Sequence, residues 1–210
     1  MIRVVIADDH PIVRHGLRQV IAKAQDLAVV GEVGDGLQAI EMARKETCDV
    51  LLLDISMPGM SGIDVLKQLR GEGSKLPVLI LSVHPEDHYA VRVLKAGASG
   101  YLTKETAAEE LIKSIRTVAS GKKYVSASLA ERLATYVEGD EQAQPHEALS
   151  DREYTVLCLM ASGKASKQIA GELNLSVATI STYRARILEK MGLKSNAELT
   201  YYAVKHGLVD

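Results

Sequence analysis

Asp49-Val50-Leu51-Leu52-Leu53-Asp54 is the stretch that decides the fold. Four consecutive apolar residues without helical spacing mark a strand buried on both faces, the condition of a central strand in a parallel sheet. A carboxylate inside such a strand is costly, but Asp54 stands where the apolar run stops and Met57-Pro58-Gly59 turns the chain. The pattern therefore predicts Asp54 at the strand's carboxyl end, on the rim where open α/β sheets bind ligands.

Towards the N-terminus, Ile2–Ala7 is another apolar strand, closed by Asp8-Asp9-His10. Pro11 then suits the first turn of a helix whose apolar positions Ile12, Leu17, Val20 and Ile21 recur at roughly helical spacing. The unit repeats. Ala28–Val30 precedes a helix near Gly36–Glu46, Val50–Leu53 one near Gly62–Arg70, Val78–Leu81 one near Glu86–Ala96, and Gly100–Leu102 one near Ala107–Ala119. Alternating strands and helices with short connections predict a parallel sheet covered by helices on both faces; a flavodoxin-like (βα)5 domain is the first choice, although spacing does not set the strand order.

That architecture gathers the strand ends on one rim: Asp8 and Asp9 from the first strand, Asp54 from the third, Ser82 from the fourth, Thr103-Lys104 from the fifth. Three carboxylates there call for a cation, and hard oxygen ligands with room for water suit Mg²⁺. Lys104 supplies a positive charge and Ser82 a hydroxyl for the oxygens of a phosphoryl group carried by Asp54.

These residues resemble the receiver domains of two-component response regulators, over roughly residues 2–120. The resemblance rests on Asp8-Asp9, on Leu53-Asp54-Ile55-Ser56-Met57-Pro58-Gly59-Met60-Ser61-Gly62, on Ser82, and on Gly97-Ala98-Ser99-Gly100-Tyr101-Leu102-Thr103-Lys104. It implies that Asp54 is the phosphoacceptor, that Asp9 and Asp54 bind Mg²⁺ together with the backbone carbonyl of Ser56, and that Asp8 assists. It also implies that Ser82 and Tyr101 form a switch pair. Glu105 follows Lys104 where the family often has proline.

Composition sets the frame around this reading. With 47% apolar and 25% charged residues the chain has the make-up of a soluble globular protein. No apolar run reaches the ~18 residues that cross a bilayer, and Asp8-Asp9 interrupts the first apolar segment before it forms a signal peptide. The expectation is a cytoplasmic protein with no membrane partner. Cys48 and Cys158 lack any CxxC or Cys/His ligand spacing and read as reduced, partly buried side chains. Residues 1–148 carry 17 basic and 21 acidic side chains, whereas 149–210 carry 8 and 6. That asymmetry is a mild pointer to an anionic partner for the C-terminal part.

Past residue 120, Ser126–Val137 reads as a short amphipathic helix and Glu138–Glu147 as a flexible acidic linker. The segment 121–148 is thus the expected connection to a small all-α domain at 149–210. Ser150 followed three residues later by Glu153 is a capping box ahead of Val156, Leu157, Leu159 and Met160, and Gly163 stops that helix. Ser166–Leu173, a turn at Asn174-Leu175 and a helix capped by Ser176 form a helix-turn-helix. In the last of these, Ile180, Tyr183, Ile187, Leu188 and Met191 face the core, and a further helix near Asn196–His206 adds Leu199, Tyr202 and Ala203. The opposite face offers short Ser181 and Thr182 for base edges, while Arg184, Arg186 and Lys190, with Lys167 on the preceding helix, have the reach for phosphates, a bidentate contact from Arg186 to a guanine being also open.

This segment resembles the LuxR-type DNA-binding domain through Leu149-Ser150-Asp151-Arg152-Glu153, Gln168-Ile169-Ala170, Leu175-Ser176, Thr179-Ile180, Lys190-Met191-Gly192 and Gly207-Leu208-Val209. With the receiver it points to the NarL/FixJ subfamily of response regulators. Relatives often carry Lys and His where this chain has Ser181 and Tyr183, so their DNA preference does not transfer. The implied function is a transcriptional regulator, not an enzyme: a sensor histidine kinase phosphorylates Asp54, and a homodimer engages double-stranded promoter DNA. The rivals are an aspartyl-phosphate enzyme and a phosphorylation-controlled protein-binding adaptor. Such enzymes commonly place a second acid two residues after the nucleophile, and that position here is Ser56.

Overall fold

The computed structural model describes residues 1–45, 48–83, 86–127, 129–131 and 144–209. The chain forms two compact units, Met1–Glu131 and Arg132–Asp210. No described helix is long and apolar enough to cross a membrane.

The first unit alternates β1 (Ile2–Ala7), α1 (Pro11–Ile21), β2 (Leu27–Val33), α2 (Gly36–Arg44), β3 (Val50–Asp54), α3 (Gly62–Gly71), β4 (Val78–Ser82), α4 (Glu86–Lys95), β5 (Gly100–Thr103) and α5 (Ala108–Ala119). All pairings are parallel and the strand order is β2-β1-β3-β4-β5, the flavodoxin-like order expected from the sequence. β3 and β4 are buried at every position, as their unbroken apolar runs require. One face of the sheet packs Val4, Ile6, Val50, Leu52, Leu79 and Leu81 against Ile21 of α1 and Leu111, Ile115 and Val118 of α5.

Register carries the rim. Ala7 pairs with Leu53, Asp54 with Leu81 and Ser82 with Thr103, so the residues that end β1, β3, β4 and β5 come level at one edge. Behind Asp54 the chain turns back on itself: Ser61 caps α3 in a reciprocal capping box with Asp64, and Gly62 N–H donates to the Ile55 carbonyl at 2.9 Å. A Cβ on Gly62 would lie 2.1 Å from the Asp54 carbonyl oxygen, so only glycine allows α3 to start there.

Ile12 departs from the expected α1 stripe, being 87% exposed. The inward line is Val13, Leu17, Val20 and Ile21, spaced at four, three and one; Ile12 lies about 100° around the helix from Val13, on the solvent side. Of the helix expected at 126–137, only the start is described. There the Ser126 hydroxyl accepts from Leu129 N–H at 3.1 Å. Residues 132–137 and 138–143 of the expected helix and linker lie outside the described residues.

The second unit holds a 3₁₀ turn (Pro145–Ala148), α6 (Asp151–Ala161), α7 (Ser166–Glu172), α8 (Val177–Met191) and α9 (Asn196–Lys205). α6 is the hub against which the other three pack. Asn174, at φ 52°, makes the left-handed turn between α7 and α8, a conformation asparagine tolerates better than most residues. Both cysteines are buried, and neither is in a disulfide among the described residues.

Gly62→Ala should lower stability by about 1–3 kcal/mol, because the new methyl can be housed only by moving the β3 backbone. Urea unfolding of the full chain checks this, and an unchanged midpoint would show that the Asp54–Gly62 approach is not constrained.

Candidate functional site

The rim of the first unit is built around a buried charge. Asp54 and Asp8 are 2% and 1% exposed, and no such carboxylate stays buried without a partner. Lys104 provides it: Nζ donates to Asp54 Oδ2 at 2.8 Å and lies 2.6 Å from Asp8 Oδ2. Ser56 N–H donates to the other Asp54 oxygen at 3.2 Å, and His10 N–H donates to Asp8 Oδ1 at 2.8 Å. Arg14, on the second turn of α1, donates to the Asp8 carbonyl at 2.6 Å.

Charge and burial oppose one another here. Burial pushes the Asp54 pKa up; Lys104 pulls it down, neighbouring Asp8 pushes it up again, and the net direction is upward. For Lys104 burial acts downward, but attraction to Asp54 and Asp8 outweighs it and its pKa is raised. The ammonium therefore stays charged between two carboxylates.

Ligand atoms from Asp8, Asp9, His10 and Asp54 lie within 4.8 Å of one another. Three carboxylates and one ammonium leave a formal excess of two negative charges. Asp9 Oδ1 is buried, and no hydrogen bond to it is made among the described residues. His10 Nδ1 lies 2.7 Å away without the required alignment. An oxygen-rich donor set, two uncompensated negative charges and an orphaned buried oxygen fit a hard divalent cation.

The other rim residues named from sequence are in place. Ser82 is buried at the end of β4, its carbonyl accepting from Lys104 N–H at 2.7 Å. Tyr101 is fully buried in β5. Sequence reasoning took His10 only as part of a turn and passed over Arg14. The adjacency Asp8-Asp9-His10 was a visible signal, whereas Arg14 reaches a backbone carbonyl and leaves no signature in composition.

In the second unit α8 buries Ile180, Ile187 and Met191 and exposes Ser181, Thr182, Ala185 and Arg186. Both hydroxyls donate back to their own helix, Ser181 to the Val177 carbonyl and Thr182 to the Ala178 carbonyl, each at 3.1 Å. Their lone pairs are left pointing outward as acceptors. Lys167 and Arg186 are exposed, whereas Arg184 and Lys190 have partners: Arg184 Nε donates to Asn196 Oδ1 at 2.5 Å and Lys190 Nζ to Glu153 Oε2 at 2.6 Å. The same Glu153 closes the capping box with Ser150 N–H at 2.7 Å, so one buried carboxylate ties the start of α6 to the end of α8. Burial works against its ionisation, but Lys190 and Ser150 outweigh that and hold its pKa below the usual range.

Residues 4–116 match the response regulator receiver domain family, and residues 147–203 match the bacterial regulatory proteins of the luxR family. The chain belongs to the response regulators. The receiver followed by a LuxR-type domain places the regulator in the NarL/FixJ group, whose members control transcription through phosphorylation. It is 34% identical over 209 residues to response regulator UvrY of Escherichia coli (strain K12), covering 99% of this chain and 96% of that one. To response regulator GacA of Pseudomonas protegens it is 37% identical over 210 residues, covering 100% and 99%. Among solved structures, RcsB of Salmonella enterica serovar Typhimurium, bound to promoter P1flhDC in the presence of the phosphomimetic BeF3-, is similar at a TM-score of 0.59. The identity there is 31%, over 96% of this chain and 97% of that one.

Lys190→Met should destabilise the second unit by about 1–2 kcal/mol, a range that allows for solvent at the lysine end of the pair. Because the Glu153 pKa is depressed in the folded state, its contribution is present above the ordinary carboxyl value of 4.5 and is lost as pH falls through the lower folded value. Unfolding midpoints measured across that acid range should fall more steeply for the wild type than for Lys190→Met. Parallel curves would assign the pair no stabilising part.

Proposed function

We propose that Asp54 accepts a phosphoryl group from a phosphohistidine of a sensor histidine kinase. The supporting observation is the buried carboxylate at the end of β3 with the Lys104 ammonium at 2.8 Å and the other acids within one cluster. An Asp54 oxygen attacks phosphorus as the phosphorus–nitrogen bond of the donor breaks, leaving an acyl phosphate on the chain and, from a donor ring protonated at its other nitrogen, a neutral imidazole on the kinase. Ser56 N–H and Lys104 hold the two oxygens apart and orient the nucleophile. Asp9 and Asp54 with the Ser56 carbonyl, assisted by Asp8, would hold Mg²⁺, which would supply charge neutralisation.

Lys104 and the Ser82 hydroxyl then read the phosphoryl oxygens. A contact made only in the modified state shifts a two-state equilibrium, and the buried Tyr101 is the second member of that switch. The receiver spans 1–120, the connection 121–148 and the DNA-binding domain 149–210. The phosphorylated chain acts in the cytoplasm as a homodimer on double-stranded promoter DNA. Ser181 and Thr182 meet base edges; Lys167 and Arg186 reach phosphates, joined by Arg184, whose Nε is bonded to Asn196, and by Lys190, whose ammonium is bonded to Glu153.

Treating wild type and Asp54→Asn with acetyl phosphate and Mg²⁺ tests the first half of this reading. Label should enter the wild type alone and strengthen its binding to promoter fragments. Label retained by Asp54→Asn would remove Asp54 from the role. A salt titration tests the second half. Lys167→Ala should weaken cognate and scrambled duplexes alike and flatten log affinity against log salt by about one charge, while Thr182→Ala should cost ~1–3 kcal/mol on the cognate duplex only and keep the slope. The opposite pattern would exchange the two assignments.

A further inference from the structure

His10 is the member of the rim cluster to which the proposed phosphoryl chemistry gives no task. Its ring reaches into the cluster although 63% of the side chain is exposed: Nδ1 stands 2.7 Å from Asp9 Oδ1 and 3.4 Å from Asp8 Oδ1. The backbone fixes it there, since His10 caps α1 in extended conformation and its N–H is bonded to Asp8 Oδ1 at 2.8 Å. The Nδ1–Asp9 contact lacks hydrogen-bond alignment, and Asp9 Oδ1 is a buried oxygen with no hydrogen bond among the described residues. Both atoms are metal-donor types, and they stand close enough to share one cation. Their separation is near the roughly 3 Å edge of an octahedron with bonds of about 2.1 Å.

The geometry points to His10 as an additional ligand of the divalent centre, converting an all-oxygen site into a mixed nitrogen–oxygen one that favours a late first-row ion over Mg²⁺. This rests on the metal site proposed above. Carboxylate, carbonyl and water donors suit Mg²⁺, whereas an imidazole donor adds affinity for ions such as Co²⁺, Ni²⁺ and Zn²⁺ and little for Mg²⁺. Asp8, Asp9 and Asp54 supply the charge for either ion, so His10 sets preference and the carboxylates set capacity.

Calorimetric titration of the full chain with Co²⁺, alone and in competition with Mg²⁺, isolates this site from other histidines, because only ions sharing the carboxylates compete. His10→Asn is the variant of choice: asparagine is a favoured N-cap, so the start of α1 is kept while the imidazole is lost. The expected result is a fall in Co²⁺ affinity of at least about tenfold in His10→Asn, with Mg²⁺ affinity held within about threefold. In the wild type, Co²⁺ should also move the His10 imidazole resonances to strongly shifted positions that Mg²⁺ addition restores. Equal loss for both ions, or no loss for Co²⁺, overturns the ligand role and leaves the carboxylate site standing. A wild type in which Co²⁺ and Mg²⁺ do not compete overturns both.

Discussion

A single ammonium held between two buried carboxylates is the constraint on which the first unit's working edge depends. Lys104 follows β5, Asp8 follows β1 and Asp54 ends β3, so the 2.6 and 2.8 Å contacts tie together strand ends that span most of the sheet. A one-residue slip in any of these parallel pairings would turn the side chains to the other face and strand a charge in the core. The apolar runs stabilise the sheet in bulk, and the charges fix its register. A cation or a phosphoryl group arriving at this edge meets a lysine already committed to two acids, and it must redistribute those contacts.

The second unit uses the same economy of charge at a smaller scale. Glu153 serves the capping box of α6 and the ammonium of Lys190 at once, so the end of α8 is placed by a bond to the helix that forms the hub. Arg184 does the same towards α9 through Asn196. In both units a carboxylate that is costly alone becomes a point of alignment when two elements share it.

Much of this was legible in the sequence, and the misses have physical causes. β3 and β4 were plain because a strand covered on both faces must be apolar throughout. β2 runs on to Val33, past the expected end at Val30, because it is the edge strand: pairing on one side only, it tolerates Gly31 and Glu32 inside the run. Strand order is a property of tertiary packing and appears in no spacing. Asp54, Asp8, Asp9, Lys104 and Ser82 were found because each stands where an apolar run stops. The partners of Lys190 and Arg184 were invisible, since pairs 37 and 12 residues apart leave no periodic trace.

The exposed face of α8 has a consequence for how such regulators diverge. Among the described residues Ser181 and Thr182 bond only to their own helix, while the placement of α8 is secured from its other side by Ile180, Ile187, Met191 and the Glu153 tie. Substitution on the outward positions therefore touches neither the core nor the bonds that hold the helix. Duplicated copies of this chain have a route by which the outward surface drifts freely under selection while the fold stays put, so that sister regulators can part ways without passing through an unstable ancestor.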